Sequence, residues 1–156
     1  MLMAKKTYNE KLNFSGDMPK IEEITDLKTI ERFGGTRMLI APPLAYNEIM
    51  GKVPQGKLIT SDYIRSYLAK KHGADFTCQL TAGIFINIAA NASEERERDK
   101  IPYWRTLKKD GELNEKYPGG IDEQKARLEA EGHKVIKKGK SYFVEDFSKK
   151  IFEIKD

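Results

Sequence analysis

One stretch in the middle of the chain, Thr81 to Ala92, is apolar on nearly every side when it is read as a helix. A surface helix carries one apolar stripe, whereas a helix that is apolar all round is covered by neighbouring elements. The stretch therefore predicts a central helix around which the other elements pack. The chain has 156 residues and no internal repeat, which favours a single domain built around that helix.

The residues before this central helix predict a helix-turn-helix. A helix is expected from Leu44 to Lys52, and a turn and a short extended piece follow it. Thr60 or Ser61 is a suitable N-cap for the next helix, which is predicted to run to Lys71. A loop then leads into the central helix, and helix, short turn and helix is the outline of a helix-turn-helix.

Residues 1–43 are predicted to form an extension that packs on this core. Its first dozen residues are polar and predict a loose arm. A short strand is predicted over Met38 to Ala41, where prolines follow. Between the two, apolar residues recur at every third position and predict a helix that stops at Gly34. These apolar residues are Ile21, Ile24, Leu27 and Ile30.

After the central helix, a charged run over residues 93–100 predicts a solvated loop or helix end. Asp122 is expected to cap a helix from Glu123 to Glu131. Residues 134–156 are predicted to form a C-terminal extension that contains a hairpin, because polar and apolar residues alternate on both sides of a glycine.

Composition restricts the kind of protein further. The mean hydropathy is −0.62 and no apolar run approaches the roughly 20 residues of a membrane span, so we expect no membrane partner. The N-terminus lacks the apolar segment of a secretory signal, which predicts a cytoplasmic protein. The formal net charge of +4 permits a nucleic-acid partner without requiring one.

Few residues offer metal or nucleophilic chemistry. Cys78 is the only cysteine, which excludes an internal disulfide and any site built on paired thiolates. His72 and His133 each stand beside a glycine at a predicted helix end, where capping or surface roles are expected. No set of three ligands has metal-site spacing, and no glycine loop has a phosphate-binding context. We therefore expect neither a metal nor a cofactor.

The stretch from Pro102 to Gly132 carries the most specific pattern of the chain. It resembles the segment of O6-alkylguanine-DNA alkyltransferases that begins with Pro-Cys-His-Arg, continues through Asp-Gly and a Tyr-x-Gly-Gly loop, and closes with a Lys-x-x-Leu helix ending in Glu-Gly. The single glycines are weak signals, whereas their order and spacing together are specific. The matching residues are Pro102, Arg105, Asp110-Gly111, Tyr117, Gly119-Gly120, Lys125, Leu128 and Glu131-Gly132.

Upstream, residues 53–60 resemble the family's Val-Pro-x-Gly-x-Val-x-Thr turn. The resemblance covers residues 44–133, more than half of the chain, and defines the predicted core domain. It implies a mainly α fold with short β elements, of the α+β class, built on a winged helix-turn-helix. It also implies double-stranded DNA, and alkylated DNA in particular, as the partner.

The chain departs from the family where the family's chemistry takes place. The alkyl-accepting cysteine falls on Tyr103 and the proton-relay histidine falls on Trp104. Dealkylation needs a thiolate and a base, and a phenol with a pKa of about 10 beside an indole supplies neither. Glu131 matches the last relay acid but has nothing to relay to. The chain is therefore similar to the alkyltransferase-like branch, which binds alkylated guanine without repairing it, and no catalytic residue is predicted.

The resemblance implies a base-sized pocket in which a flipped guanine stacks on an aromatic ring. Arg105 is expected to orient this pocket or to contact a phosphate. The alternative is that Tyr103 and Trp104 fill the vanished active site as a plug. The predicted pocket residues are Tyr103, Trp104, Arg105, Tyr117, Gly119 and Gly120.

The central helix is predicted to be the recognition helix, although it offers few polar side chains and no arginine. The family's arginine finger, which replaces the flipped base in the duplex, falls near Thr81 or Ala82. The tyrosine that follows the family's motif threonine falls on Ser61. The predicted DNA-contacting residues are Ser61, Thr81, Ala82, Asn87, Asn91, Lys57 and Arg65.

Two other functions stay open from the sequence. In the first, the winged-helix domain is repurposed and uses the aromatic pocket and the added termini for a protein or small-molecule partner. In the second, Cys78 is an alternative alkyl acceptor. That role requires Cys78 to lie beside the pocket, whereas the alignment places it in the loop before the recognition helix.

Overall fold

The computed structural model describes residues 6–155 of the chain. Its helices are α1 (Tyr8–Leu12), α2 (Leu27–Phe33), α3 (Pro43–Gly51), α4 (Ser61–Lys71), α5 (Gln79–Glu95) and α6 (Gly120–Ala130). Its strands are β1 (Lys20–Glu23), β2 (Arg37–Ile40), β3 (Ile59–Thr60), β4 (Phe76–Thr77), β5 (Thr106–Leu107), β6 (Val135–Lys138) and β7 (Ser141–Val144). Short 3-10 helices cover Tyr103–Arg105, Lys109–Gly111 and Phe147–Lys150.

The strands of this described part form small sheets rather than one large layer. β1 pairs antiparallel with β2, and β4 joins β2 in parallel. β3 pairs in parallel with β5, and β6 and β7 form an antiparallel hairpin after α6. With α4 and α5 as the helix-turn-helix, the fold is the α+β winged helix that the sequence predicts.

Helix α5 is the centre of the core. Ala82, Ile86 and Ala89 are buried on one side of it, and α1, α3 and α4 pack around it. The prediction of a central helix is confirmed, with one correction. Leu80 is 73% exposed and Ile84 is 47% exposed, so the first two turns are open on one side. The apolar pattern alone does not separate covered from open turns.

Local capping sets the limits of the helix-turn-helix. The Thr60 hydroxyl accepts a hydrogen bond from the Tyr63 backbone N–H at 3.4 Å and so caps α4. His72 is the C-cap of the same helix. The connection to α5 is more than a turn, because β4 lies in it and extends the sheet of β2.

The first residues of the described chain are an ordered helix, so the prediction of a loose arm is wrong for residues 8–12. Leu12 of α1 is buried in the core. The Glu95 carboxylate at the end of α5 accepts hydrogen bonds from the Tyr8 and Asn9 backbone N–H groups, at 3.0 and 3.1 Å. These bonds lower the pKa of Glu95. A carboxylate at the start of a helix satisfies N–H groups that have no partner within the helix.

The predicted helix between Ile21 and Gly34 is wrong in its first half. Ile21 lies in β1 and stands opposite Leu39 of β2. The helix begins later, at α2, because the Asp26 carboxylate accepts a hydrogen bond from the Thr29 backbone N–H at 3.1 Å and caps it. Spacing by three residues fits a helix locally, but pairing with a distant strand overrides it.

The C-terminal elements follow the prediction more closely. The hairpin is confirmed, with Gly139 and Lys140 between β6 and β7. The charged run is corrected at its start, because Ser93 is buried within α5. Helix α6 starts at Gly120 rather than Glu123. Gly119 precedes the helix with φ +79°, a conformation that glycine adopts without strain. This conformation lets the helix begin at the next residue.

We expect Ser93→Ala to lower the free energy of unfolding by about 1–3 kcal/mol, because it leaves a buried N–H without an acceptor. In the native chain the Ser93 hydroxyl accepts a hydrogen bond from the Ile101 backbone N–H at 2.8 Å. Urea unfolding measures the change. The control is Ser66→Ala at an exposed position of α4, which should stay within about 0.5 kcal/mol of the parent. Equal midpoints for the two variants would contradict the role of Ser93.

Candidate functional site

The segment Tyr103–Arg105 is a 3-10 helix that lies between α5 and α6. Tyr103 is 2% exposed. Its ring makes edge contacts with the rings of Trp104 and Tyr117, each with a centroid distance of 5.4 Å. Burial raises the pKa of the Tyr103 phenol. The ring is therefore packed inside the protein, as the plug hypothesis expects.

Arg105 is held by a largely buried ion pair with Glu131. Its Nε atom donates to Oε1 of Glu131 at 2.9 Å, and its Nη1 atom donates to the Val53 carbonyl at 2.7 Å. Burial raises the pKa of the Glu131 carboxyl, but the hydrogen bonds from Arg105 and Trp104 and the charge of Arg105 together outweigh it, so the pKa lies below its usual value. The guanidinium thus joins the turn before α4 to the end of α6, and a phosphate contact would have to break these bonds.

Tyr117 is fixed from two directions. It is 3% exposed, its ring touches Tyr103, and its hydroxyl donates to the Thr106 carbonyl at 2.8 Å. The buried Gln124 side chain accepts from the Asn114 backbone N–H at 2.7 Å and donates to the Trp104 carbonyl at 3.1 Å. These bonds tie the loop that carries Tyr117 to α6 and to the 3-10 helix, so the position of the ring is rigidly defined.

The same loop is also bound to α5. The Asn114 amide donates to the Asn87 side-chain oxygen at 2.9 Å. The Asn91 amide donates to the Asn87 carbonyl at 2.8 Å and to the Lys116 carbonyl at 3.3 Å. The side chains of Asn87 and Asn91 therefore form hydrogen bonds within the protein, although both residues were predicted to contact DNA.

A first cleft of about 480 Å³ opens on Trp104; we call it the turn cleft. Three cationic side chains besides Arg105 line it, and one acidic side chain does. The Arg127 guanidinium lies 4.6 Å from the centroid of a Trp104 ring and pairs with Glu123 at 2.8 Å. The lining includes Lys52, Val53, Glu94, Lys100, Tyr103, Trp104, Arg105 and Arg127.

A second cleft of about 790 Å³ lies between the first turns of α5 and the segment that carries Tyr117; we call it the helix cleft. Its walls are largely apolar, and charged side chains stand among them. Its lining includes Ser61, Arg65, Cys78, Leu80, Ala82, Gly83, Ile84, Asn87, Leu107, Lys108, Lys109, Asp110, Glu112, Asn114, Glu115, Lys116 and Tyr117.

The predicted site residues are thereby divided. The two clefts share no lining residue within the described chain, so Tyr103 and Tyr117 face different clefts although their rings touch. The helix cleft brings together Ser61, Arg65, Ala82, Asn87 and Tyr117. Tyr103, Trp104 and Arg105 line the turn cleft instead. The predicted residues that are not among the lining of either cleft, within residues 6–155, are Lys57, Thr81, Asn91, Gly119 and Gly120.

Sequence reasoning missed several residues of the helix cleft. Ile84 belongs to the apolar stretch that predicted burial, and Leu80 lies just before that stretch, so nothing in the pattern marked either side chain as exposed. The lysines at 108, 109 and 116 lie beside the Asp-Gly and Tyr-x-Gly-Gly motifs, and that position was the available signal. Cys78 lines this cleft too, whereas the sequence placed it only in a preceding loop.

The environment of His133 also differs from expectation. It was expected to cap a helix or lie on the surface, but it is 8% exposed, and burial lowers its pKa. It follows α6 directly, and its backbone N–H donates to the Leu128 carbonyl at 3.1 Å. A turn that folds back on the helix carries the ring inward. Among the described residues, no group of three His, Cys, Asp or Glu side chains is arranged to hold a metal ion.

The fold and the two clefts define a winged helix-turn-helix protein with a cleft at the exposed face of its second helix. This fold is similar to that of S. pombe Atl1 in a crystal structure with damaged DNA containing O6-carboxymethylguanine. The TM-score is 0.50 at 18% identity, over 72% of this chain and 94% of that chain. A structure of S. pombe ATL in complex with DNA gives a TM-score of 0.48 at 16% identity, with the same coverage.

No protein-family model and no curated protein matches the chain. The likeness to the Atl1 structure concerns the fold alone. In the described part of the chain, none of the helices combines the length and the apolar character that crossing a membrane requires.

We expect Glu131→Gln to lower the free energy of unfolding by about 3–5 kcal/mol at neutral pH, because it leaves the buried Arg105 charge unpaired. The pKa of Glu131 is lower in the folded than in the unfolded protein. The stabilisation is therefore complete above the ordinary value of 4.5 and is lost as the pH falls through the folded value.

The free energy of unfolding, measured with urea from pH 3 to pH 7, should therefore fall more steeply with decreasing pH for the parent than for Glu131→Gln. Glu123→Gln on the same helix is the control, because its pair with Arg127 is partly exposed and should contribute only about 0–1 kcal/mol. Parallel pH profiles for the parent and Glu131→Gln would contradict the assignment.

Proposed function

We propose that this chain is a non-catalytic, alkyltransferase-like protein that binds double-stranded DNA at O6-alkylguanine. The observation that carries the proposal is the helix cleft, which lies open beside the second helix of the helix-turn-helix. S. pombe Atl1, whose fold this chain shares, is bound to damaged DNA containing O6-carboxymethylguanine. A helix of this kind is the usual DNA-reading element of the fold.

Cationic side chains stand on both walls of the helix cleft and would hold the phosphates. Arg65 lies on α4, and the lysines at 108, 109 and 116 lie across the cleft from α5. Asp110, Glu112 and Glu115 stand among them, so the local excess of positive charge is small. Phosphate contacts supply affinity that falls with salt. We infer that this chain binds through few phosphate contacts and adds specificity by other means.

An extruded base would enter the helix cleft rather than the turn cleft. The volume of about 790 Å³ lies within the range of small-molecule sites. Asn114 and Ser61 line it with polar groups, and the edge of the largely buried Tyr117 ring reaches its wall. Unstacking a base costs a few kcal/mol, and contact with an aromatic ring returns about 1–3 kcal/mol. In this arrangement Tyr103 supports Tyr117 from behind.

The same geometry argues against alkyl transfer by Tyr103. Its phenol is buried, and burial raises its pKa, so it stays protonated. Its neighbour Trp104 has no basic nitrogen. Glu131 is bound to Arg105 instead of to a proton-accepting partner. Tyr103, Trp104 and Glu131 therefore supply no alkyl acceptor, and Cys78, which lines the helix cleft, is the thiol that the intact-mass measurement below tests.

A second candidate function is docking of a protein. The exposed Leu80 and Ile84 favour it, because large apolar side chains grouped on a surface mark interaction sites.

We expect a duplex with one O6-methylguanine to bind more tightly than its undamaged twin, with both affinities falling as salt rises. Fluorescence anisotropy over a salt series measures both. The intact mass of the protein should be unchanged after incubation with the damaged duplex. Equal affinity for the two duplexes, or no binding at low salt, would contradict the proposal. A gain of one methyl group that disappears in Cys78→Ser would instead show an active acceptor.

We expect Arg65→Ala and Lys116→Ala to weaken binding to damaged and undamaged duplexes by the same factor. Each should reduce the salt slope by about 0.9, because each removes one phosphate contact. Lys20→Ala, on β1 and outside the lining of either cleft among the described residues, is the control and should leave the slope unchanged. A slope that Lys20→Ala and Arg65→Ala alter equally would place the DNA elsewhere.

A further inference from the structure

The open side of α5 carries a short apolar ridge. Leu80 is 73% exposed and Ile84, one turn later, is 47% exposed. Gly83 lies between them, and a side chain built on it would meet nothing within 4 Å. Positions 80, 83, 84 and 87 share one face of a helix, and all four line the helix cleft. The ridge therefore stands at the mouth of the cleft.

The exposure of the ridge does not follow from packing of the core. Ala82, Ile86 and Ala89 supply the buried side of the same helix. A leucine on the first turn, left in water, contributes no burial to folding. Covering the Leu80 side chain would therefore stabilise a complex with a binding partner.

We propose that Leu80 is a wedge that enters the base stack and fills the gap left by a nucleotide flipped into the helix cleft. This inference rests on the proposed function. Apolar side chains inserted between base steps unstack and kink duplex DNA, and leucine is among the residues that do so. Leu80 stands on the first turn of α5 and is more exposed than Ile84 one turn later.

The charge around the ridge favours a nucleic acid as its occupant. Arg65 and the lysines at 108, 109 and 116 line the same cleft as the two apolar side chains, and Asp110, Glu112 and Glu115 stand among them. An apolar ridge in a cleft with a small excess of cations matches a base step, which is apolar on its faces and lies between phosphates. The open space at Gly83 leaves room for the sugar-phosphate backbone to approach α5.

An uncharged wedge has a consequence that an arginine would not have. Its contribution comes from burying apolar surface in the stack and carries no counterion release. The effect of removing it should therefore be the same at low and at moderate salt. Phosphate-binding side chains, in contrast, lose their effect as salt rises.

The test uses the full chain and a duplex with O6-methylguanine beside 2-aminopurine, whose fluorescence rises when it is unstacked. The parent should raise the fluorescence and prefer the damaged duplex. Leu80→Ala should reduce that preference by about tenfold at every salt concentration, suppress the fluorescence rise, and keep the affinity for undamaged DNA. Leu80→Met should retain the parent's behaviour. Leu44→Ala, a truncation at an exposed leucine of α3, is the control.

Each other outcome overturns the wedge. If Leu80→Ala keeps the preference and the fluorescence rise, the wedge is wrong while the proposed function stands. If the parent itself binds neither duplex, both fail together. If Leu80→Ala leaves DNA binding intact and abolishes self-association in sedimentation velocity, the ridge is a docking surface for a second copy of the chain.

Discussion

The buried ion pair between Arg105 and Glu131 holds three separate segments of the chain at one point. Because the guanidinium also donates to the Val53 carbonyl, the turn before α4, the 3-10 helix and the end of α6 share one cation. Separating a largely buried charge from its partner is strongly destabilising, so the ion pair holds these three segments in one arrangement. The pair thereby fixes the backbone on which Tyr103 and Trp104 stand, and through Tyr103 it fixes the aromatic contact behind the helix cleft.

That aromatic contact divides the site in two. Tyr103 touches Tyr117 edge-on, yet each ring faces a different cleft. Only the helix cleft lies beside the exposed turns of α5, and there the cations are partly offset by acids. In the proposed complex with DNA, so small an excess of positive charge would contribute little through phosphate contacts. The apolar ridge around Leu80 and the shape of the cleft are the features that would make its binding selective.

The proximity of two predicted pocket residues followed from the sequence, whereas the lining and the geometry of the two clefts did not. The motif order from Pro102 to Gly132 placed Tyr103 and Tyr117 near one another, and their rings do touch. It did not show that Tyr103 is packed behind Tyr117, because that depends on contacts between α5 and α6. Nor did it mark Leu80 as exposed, because Leu80 lies just before the predicted helix and the apolar pattern does not show which side of a helix lacks a neighbour.

By itself the sequence determined the elements that depend on neighbours along the chain. The apolar character of α5, the Thr60 cap of α4 and the glycine of the hairpin act over a few residues, and such signals do not need the rest of the fold. Only the tertiary structure decided that Ile21 pairs in a strand, that Glu95 accepts hydrogen bonds from the first N–H groups of α1, far earlier in the chain, and that two clefts form instead of one. Those outcomes depend on partners far away in sequence, and no local pattern encodes where such partners come to lie.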